Sequence, residues 1–462
     1  AKYEDHSSFV HPGAVYVFQR DHGGPDSWGQ VKRIIARDPA DLDLFGRSVA
    51  IDGDLVVVGA SLKDHESLSE KLELAGAVYV YQRDCSGTDN WGLLDKIVAE
   101  TLKEDARFGS PVAIGHETLL VGAYKNGYNN NLESARAAYL YELPIRYVSP
   151  SGDDANDCNT PATACATLSH AMQNFRAGTV NMAQGTYTDR VSIMTTLPSI
   201  LKIRGGWNTF FSERVDDPSK TIIDGGNAGS VFTLDTSTVN SIHLTLNNVT
   251  LTNGNHEPGG GIYVINDNTS GHVSLSLSQC ELDDNTGGGI SVGISSGGID
   301  LNLDRCSLSN NYTAGYGGGL DLYAPSGTLN LDIQNSFITD NFASHAGGGI
   351  RVISAAPDSM LSINSSTITA NVGSGEDGVY LYAFDGITLN CAIQNSILWG
   401  NGNSGGGLPT GDLVHSQIGA GTVISTKVMG SDVGEVSGVD YQDMGYNVNL
   451  NPLFRNPAAG NY

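Results

Sequence analysis

One six-residue phrase ending in asparagine returns five times in the second half of the chain. The copies are Cys280-Glu-Leu-Asp-Asp-Asn285, Cys306-Ser-Leu-Ser-Asn-Asn311, Ser336-Phe-Ile-Thr-Asp-Asn341, Ser366-Thr-Ile-Thr-Ala-Asn371 and Ser396-Ile-Leu-Trp-Gly-Asn401, with closing asparagines 26, 30, 30 and 30 residues apart. Glycine triplets at 259–261, 287–289, 317–319 and 347–349 keep nearly the same period. A unit of this length, made of short alternating strands, cannot bury its apolar side alone and must stack on its neighbours. The spacing therefore predicts coils of a parallel β-helix. Equivalent residues then lie about 4.8 Å apart along the axis. Asn285, Asn311, Asn341, Asn371 and Asn401 are expected to form a ladder, because asparagine tolerates a left-handed φ and carries both donor and acceptor.

Composition narrows the partners. The 462 residues suffice for two or three domains. The 58 glycines follow no Gly-X-Y period, which excludes collagen. Lysine and arginine total 25 against 50 aspartates and glutamates, a formal charge of -25. That field disfavours nucleic acid and anionic membranes. No apolar run approaches the roughly 20 residues that cross a bilayer, so direct membrane insertion is not expected. The chain opens at Ala1-Lys-Tyr-Glu-Asp5, and any targeting segment is expected to have been removed or to lie outside it. Cys158 and Cys165 flank a polar loop suited to a local disulfide. Cys280 and Cys306 fall in adjacent coils, as a second disulfide or as two buried thiols; Cys391 reads as buried and Cys85 as a turn residue. This usage points to an extracellular or cell-surface protein.

Residues 1–144 carry a different repeat. Pro12-Gly-Ala-Val-Tyr-Val-Phe-Gln-Arg-Asp21 returns as Ala75-Gly-Ala-Val-Tyr-Val-Tyr-Gln-Arg-Asp84, with a third copy at Ala135-Arg-Ala-Ala-Tyr-Leu-Tyr141. Phe45-Gly-Arg-Ser-Val-Ala-Ile51 matches Phe108-Gly-Ser-Pro-Val-Ala-Ile114, and Leu55-Val-Val-Val-Gly-Ala60 matches Leu119-Leu-Val-Gly-Ala123. Trp28 and Trp91 recur after the Gln-Arg-Asp turns. Four short strands in about 60 residues suit a propeller blade. Phe-Gly, then Val-Ala-Ile, then Val-Gly-Ala resembles the FG-GAP repeat, the blade of integrin-type β-propellers, over residues 1–143. The resemblance implies a closed ring, of which this chain holds one complete unit and two partial ones. Preceding blades, an open fragment or a completing partner chain would each account for that, and preceding sequence is the expectation. The resemblance also implies calcium near the Phe-Gly loops. The candidate ligands are Asp38, Asp41 and Asp43 before Phe45, and Glu100, Glu104 and Asp105 before Phe108. Acidic surface turns are the alternative.

Residues 145–166 read as linker and opening loop. Over 167–176, Leu168, Ala171, Met172 and Phe175 share one helical face, with Thr167 as N-cap and Gly178 as stop. Such a helix would cover the open end of the first coil, so 167–462 is expected to be a capping helix and a right-handed parallel β-helix. The Gly-Gly-Gly-Ile and Ile-x-x-Asn phrases, with Tyr147-Val-Ser-Pro-Ser-Gly152 and Asn451-Pro-Leu-Phe454, resemble the β-helix repeats of bacterial surface proteins of the polymorphic outer-membrane type, over 146–456. The fold class is thus all-β: partial propeller blades, then a β-helix.

Chemistry is harder to find. Carboxylates open to acid–base work are Asp283 with Asp284, Asp304, Asp321, Asp340, Glu376 with Asp377, and Asp385; Asp224 is a further calcium candidate. Asp304 precedes Arg305 as a surface pair. Asp321, with Tyr263, Ser291 and Arg351 at matching positions, reads as an ordinary solvent face. Between Arg214 and Arg455 the only cations are Lys220, Arg305, Arg351 and Lys427, too few to stabilise charge in a lyase of acidic sugars. The histidines lack ligand spacing, and no nucleophile elbow, zinc-protease or phosphate-loop motif is present. Tyr312, Tyr316, Tyr323, Tyr380 and Tyr382 cluster near successive turns as an aromatic stripe for a glycan or protein. The favoured reading is a non-catalytic structural or adhesive protein, in a filament, sheath or cell surface, binding itself, other surface proteins or a glycan. The alternative is a polysaccharide lyase or glycoside hydrolase on the same scaffold.

Overall fold

The structure, a computed structural model, describes residues 2–443 apart from 5–9, 21–26, 53–54, 67–70, 84–90, 100–103, 116–117, 125–136, 143–144, 174, 176, 195–198, 237–240, 269–270, 357–358, 375–376, 385–387, 403–411, 418–422, 430–431, 434–435 and 438–441. The chain divides into two compact units, Ala1–Pro144 and Ile145–Tyr462.

Among the described residues, the first unit holds three successive antiparallel sheets and a two-stranded ribbon, His65–Glu66 with Lys71–Leu72. Val15–Arg20 pairs with Trp28–Ile34; Phe45–Asp52, Leu55–Ala60, Ala77–Gln82 and Gly92–Ile97 form a four-stranded sheet in chain order; Phe108–Gly115, Thr118–Ala123 and Ala137–Glu142 form the third. Alternation sends successive side chains to opposite faces. Tyr79 and Tyr81 thus join the core shared with Val15 and Ile34 of the first sheet, while Val78 and Val80 join the core shared with Phe108 and Val121 of the third. The Phe-Gly turn is the hinge of this stacking. Phe45 N–H donates to Pro12 O and Phe108 N–H to Ala75 O, both at 2.8 Å. A Cβ at Gly13 or Gly76 would fall 2.0 or 2.1 Å from the carbonyl oxygen of Phe45 or Phe108. Only a bare backbone fits there, which is why Gly-Ala and Phe-Gly recur together.

The second unit is a parallel β-solenoid with three faces. Face 1 has eleven strands, from Ile145–Val148 to Gln442–Asp443; faces 2 and 3 have nine each, from Gly185–Thr188 to Asp432–Val433 and from Val191–Met194 to Val436–Ser437. Each regular coil gives one strand to each face. Apolar residues stack in register inside, as Leu282, Leu308, Ile338, Ile368 and Leu398 do on face 2. Each such buried side chain contributes roughly 1.5–3 kcal/mol. Residues 145–148, within the stretch read as linker, form the outermost strand of face 1, paired with Ala177–Ala183. The helix is shorter than its apolar pattern suggests: it spans Leu168–Ala171, with Thr167 as N-cap accepting from His170 N–H. Arg146 donates to the carbonyls of Ala171 and Gln173 and so takes up the end of the helix. Its intended face is nonetheless inside, with Leu168 and Ala171 fully buried in the solenoid core.

The asparagine ladder is continuous. Nδ2 of Asn285, Asn311, Asn341 and Asn371 each donates at 2.9 Å to Oδ1 of the next asparagine, and Asn401 donates at 2.7 Å to Asp412. The left-handed residue, however, is the one before the ladder position. Asp284, Asn310, Asp340 and Ala370 have φ of 54°, 52°, 57° and 58°. That kink is what turns the following asparagine inward, where its amide meets backbone as well as its neighbours. Cys158 and Cys165 form a disulfide, whereas Cys280 and Cys306 are buried thiols; Cys85 lies outside the described residues.

Candidate functional site

Face 3 presents two outward columns set by strand register. In one, Tyr263, Ser291, Asp321, Arg351 and Tyr380 succeed one another; in the other, Ile265, Gly293, Tyr323, Ile353 and Tyr382. Asp321 and Arg351 are not an ordinary solvent pair, as their variable neighbours suggested. They form a two-pronged ion pair, Nε to Oδ1 at 2.5 Å and Nη2 to Oδ2 at 2.9 Å, with the residues 7% and 9% exposed. The Tyr316 ring lies over the guanidinium at 4.0 Å and is flanked by His345 at 4.7 Å. Burial pushes the Asp321 carboxyl above its ordinary range, against the pull of Arg351. The signal was present in the sequence: opposite charges separated by one coil period become direct neighbours.

The second column remains open to solvent. Tyr323 is 42% exposed, Tyr382 meets Phe384 edge to face at 5.2 Å, and a Cβ at Gly293 would meet nothing closer than 4.0 Å. Of the five tyrosines expected to align, Tyr316, Tyr323, Tyr380 and Tyr382 converge on this face. Tyr312 does not; it lies past the ladder corner, stacked on Phe342 with rings 3° from parallel. Tyr263, beside His256 at 5.1 Å, is an addition.

Face 1 carries the most organised acid. Asp300 accepts from Asn330 at 2.7 Å and meets His272 Nε2 at 2.9 Å. Burial raises its pKa, but the bond and charge of His272, the Asn330 amide and the charge of His243 outweigh it, and the net shift is downward. A depressed carboxylate adds stability that is present above the unfolded value and lost as pH falls through the folded one. Asp300→Asn is therefore expected to weaken the fold at neutral pH and to cost little in strong acid, measured by denaturant titration at both pH values. The other carboxylates serve coil-to-coil bonds or turns. Asp304 accepts from Arg305 and Asn335, Asp283 from Ser309 and Asn310, Asp377 from Gly373 N–H and Asp224 from Gly226 N–H. Asp284 is raised by burial and by Asp283. Glu376 and Asp385 lie outside the described residues.

The acidic loops of the first unit are occupied by side chains. Lys63 Nζ sits 2.8 Å from Asp43 and 3.7 Å from Asp38, and Lys96 reaches Asp38 at 2.6 Å, with Tyr79 donating to it at 2.7 Å. Burial raises the Asp43 carboxyl against Lys63; Asp38, though burial raises it too, is lowered on balance by Lys96 and Tyr79. Asp41 accepts from Val10 N–H, and Asp105 pairs with Arg107 at 2.6 Å. Glu104 is exposed and Glu100 is outside the described residues. As folded, Asp38 and Asp43 are engaged by the ammonium groups of Lys63 and Lys96, and Asp105 by the Arg107 guanidinium. Among the described residues, the cluster of three metal-ligating side chains is Cys158, Cys165 and His170, and its two sulfurs are bonded to each other.

The FG-GAP repeat family matches residues 28–81 and 91–141. The chain thus has an FG-GAP-repeat region followed by a parallel β-solenoid. No curated protein sequence matches it. Among solved structures, pectate lyase Pel9A is similar at 14% identity and a TM-score of 0.38, over 66% of this chain and 79% of that one. The deglycosylated pectin methylesterase from Aspergillus niger is similar at 13% identity and a TM-score of 0.31, over 68% and 92%. Neither likeness carries an activity to this chain.

Proposed function

We propose that this protein is a non-catalytic extracellular scaffold whose solenoid holds a linear, neutral glycan along face 3. The observation that carries the reading is the open column of Ile265, Gly293, Tyr323, Ile353 and Tyr382. Its two rings, Tyr323 and Tyr382, lie two coils apart, about 9.6 Å, a spacing matched to stacking on every second sugar of an extended chain. Gly293, where a Cβ would meet nothing closer than 4.0 Å, leaves the column without a side chain between Ile265 and Tyr323. A neutral polymer is favoured because Arg351 is already neutralised by Asp321 and the chain carries a net charge of -25. The Cys158–Cys165 disulfide supports an oxidising, extracellular setting.

Affinity electrophoresis through a panel of neutral and acidic soluble polysaccharides tests this. At least one neutral polymer is expected to retard the protein, and Tyr323→Ala with Tyr382→Ala to weaken that retardation about tenfold or more, roughly 1.4 kcal/mol. Retardation by none of them, or retardation indifferent to both substitutions, would remove the proposal.

Polysaccharide cleavage has one observation in its favour, the Asp300 carboxylate held between His272 and Asn330 on face 1. It requires new chain ends to appear when the wild type is incubated with a polymer, and to stop appearing in Asp300→Asn. The binding proposal requires none from either.

A further inference from the structure

The open column of face 3 has a definite length, set by the residues that close it. Ile265, Gly293, Tyr323, Ile353 and Tyr382 follow one another through direct strand pairing. Asp235 takes the position below Ile265 and Ser416 the position above Tyr382, so the run free of polar residues other than tyrosine spans five coils. Each step is about 4.8 Å, which sets Ile265 and Tyr382 about 19 Å apart. A chain laid here runs along the solenoid axis and not across it. In the neighbouring column Asp321 and Arg351 are buried, and the Tyr316 ring covers the guanidinium at 4.0 Å.

An occupant must keep step with the coils. Pyranose rings joined through equatorial bonds at C1 and C4 form a straight ribbon, in which each sugar is turned half a revolution from the last. The same face of the sugar then returns at every second unit, just as an aromatic ring returns at the second coil from Tyr323 to Tyr382. The sugar between them lies over Ile353. An axial bond at C1, as in α-1,4-linked chains, bends the polymer at every unit, and a 1,3 link curls it. Neither keeps a sugar over Tyr382 once another sits on Tyr323.

We infer that the ligand is a neutral β-1,4-linked polymer of pyranoses with equatorial O4, held lengthwise with Tyr323 and Tyr382 stacked on alternate sugars; this rests on the proposal that face 3 holds a glycan. Three sugars bridge the two rings, and five fill the column. Ile265 lies two coils from Tyr323 on the side away from Tyr382, so its position is in phase with both rings.

Isothermal titration of the full chain with β-1,4-linked oligomers of glucose, mannose and xylose tests the inference. In the series that binds best, the trimer is expected to bind about threefold or more tighter than the dimer, because the dimer reaches one ring and the trimer both. Units beyond the pentamer are expected to add nothing. Trimers of α-1,4- and β-1,3-linked glucose are expected to bind no better than the β-1,4 dimer. Ile265→Tyr adds a third ring in phase, and is expected to tighten the pentamer about threefold while leaving the trimer within about twofold. The comparison of lengths and linkages uses the wild type, so it stands even where the variant fails to fold. An α-1,4 or β-1,3 trimer that binds as tightly as the β-1,4 trimer overturns the inference, and so does equal affinity for dimer and trimer; both leave glycan binding itself intact. Binding of no β-1,4 oligomer also overturns it, and retardation of the protein by a neutral polymer then separates this failure from that of the glycan proposal.

Discussion

Replacing Arg351 with methionine is expected to destabilise the solenoid by about 3–5 kcal/mol at neutral pH, because it strands a buried carboxylate. Asp321 loses both of its bonds to the guanidinium, and the Tyr316 ring loses the cation beneath it. The pH dependence separates this from a simple packing loss. Burial already raises the Asp321 carboxyl, and removal of Arg351 raises it further. A carboxyl raised in the folded state carries little cost below its unfolded value of about 3.9 and an increasing one as pH climbs through the folded value. The variant should thus approach wild-type stability in mild acid and fall away towards neutrality. Pairing the change with Asp321→Leu should return most of the loss at all pH values, since two apolar groups can stand in for a buried pair. Denaturant titrations at pH 4 and pH 7 decide it; equal losses at both would show that Asp321 is not the stranded group.

Asn341→Ala carries a comparable effect by another route. Asn341 accepts from the Asn311 N–H at 3.1 Å and the Asn311 amide at 2.9 Å, and donates to Leu308 O and Asn371 Oδ1 at 2.9 Å each. Alanine leaves these buried groups with fewer partners than they have, at roughly 1–3 kcal/mol for each one left unsatisfied. The total should reach about 3–6 kcal/mol. Stability in a stacked array passes between neighbours, so the loss should be local before it is global. Hydrogen exchange should accelerate across residues 306–371 while the strands near 177–224 keep their protection. Uniform acceleration along the whole solenoid, or none, would show that the ladder does not partition stability in this way.

Most of the solenoid was legible because its period lies in residue identity. An asparagine, a glycine triplet and an inward leucine or isoleucine each mark a fixed place in the coil. What escaped were places where geometry reuses ordinary residues. Gln279, Arg305, Asn335, Ser365 and Asn395 all hold φ of 50–53° at the other recurrent corner, and side chains so varied give no hint of a shared backbone state. The capping helix is shorter than its pattern implies, because Leu168, Ala171, Met172 and Phe175 suit an inward face whether the chain stays helical or turns away after one turn. The matching positions of Asp321 and Arg351 do not by themselves reveal a buried pair, because the Tyr316 ring that covers the guanidinium comes from a turn outside the strand register. The acidic loops show the same limit: Lys63 is remote in sequence from Asp38 and Asp43, so spacing alone could not reveal that a lysine fills the space between them.

The coil that closes at Asn311 is four residues shorter than those that follow, since 26 residues separate it from Asn285 where 30 separate later rungs. The deletion falls just past the ladder corner, and the courses above and below keep their pairing. Glu257 bridges the gap by reaching over the short coil to Thr313 and the Ala314 N–H, at 2.8 Å each. Length at this corner is decoupled from the integrity of the stack. Foreign loops grafted there would be displayed at defined heights on the shaft, and natural variants can lengthen or trim the same segment without re-registering the strands beneath.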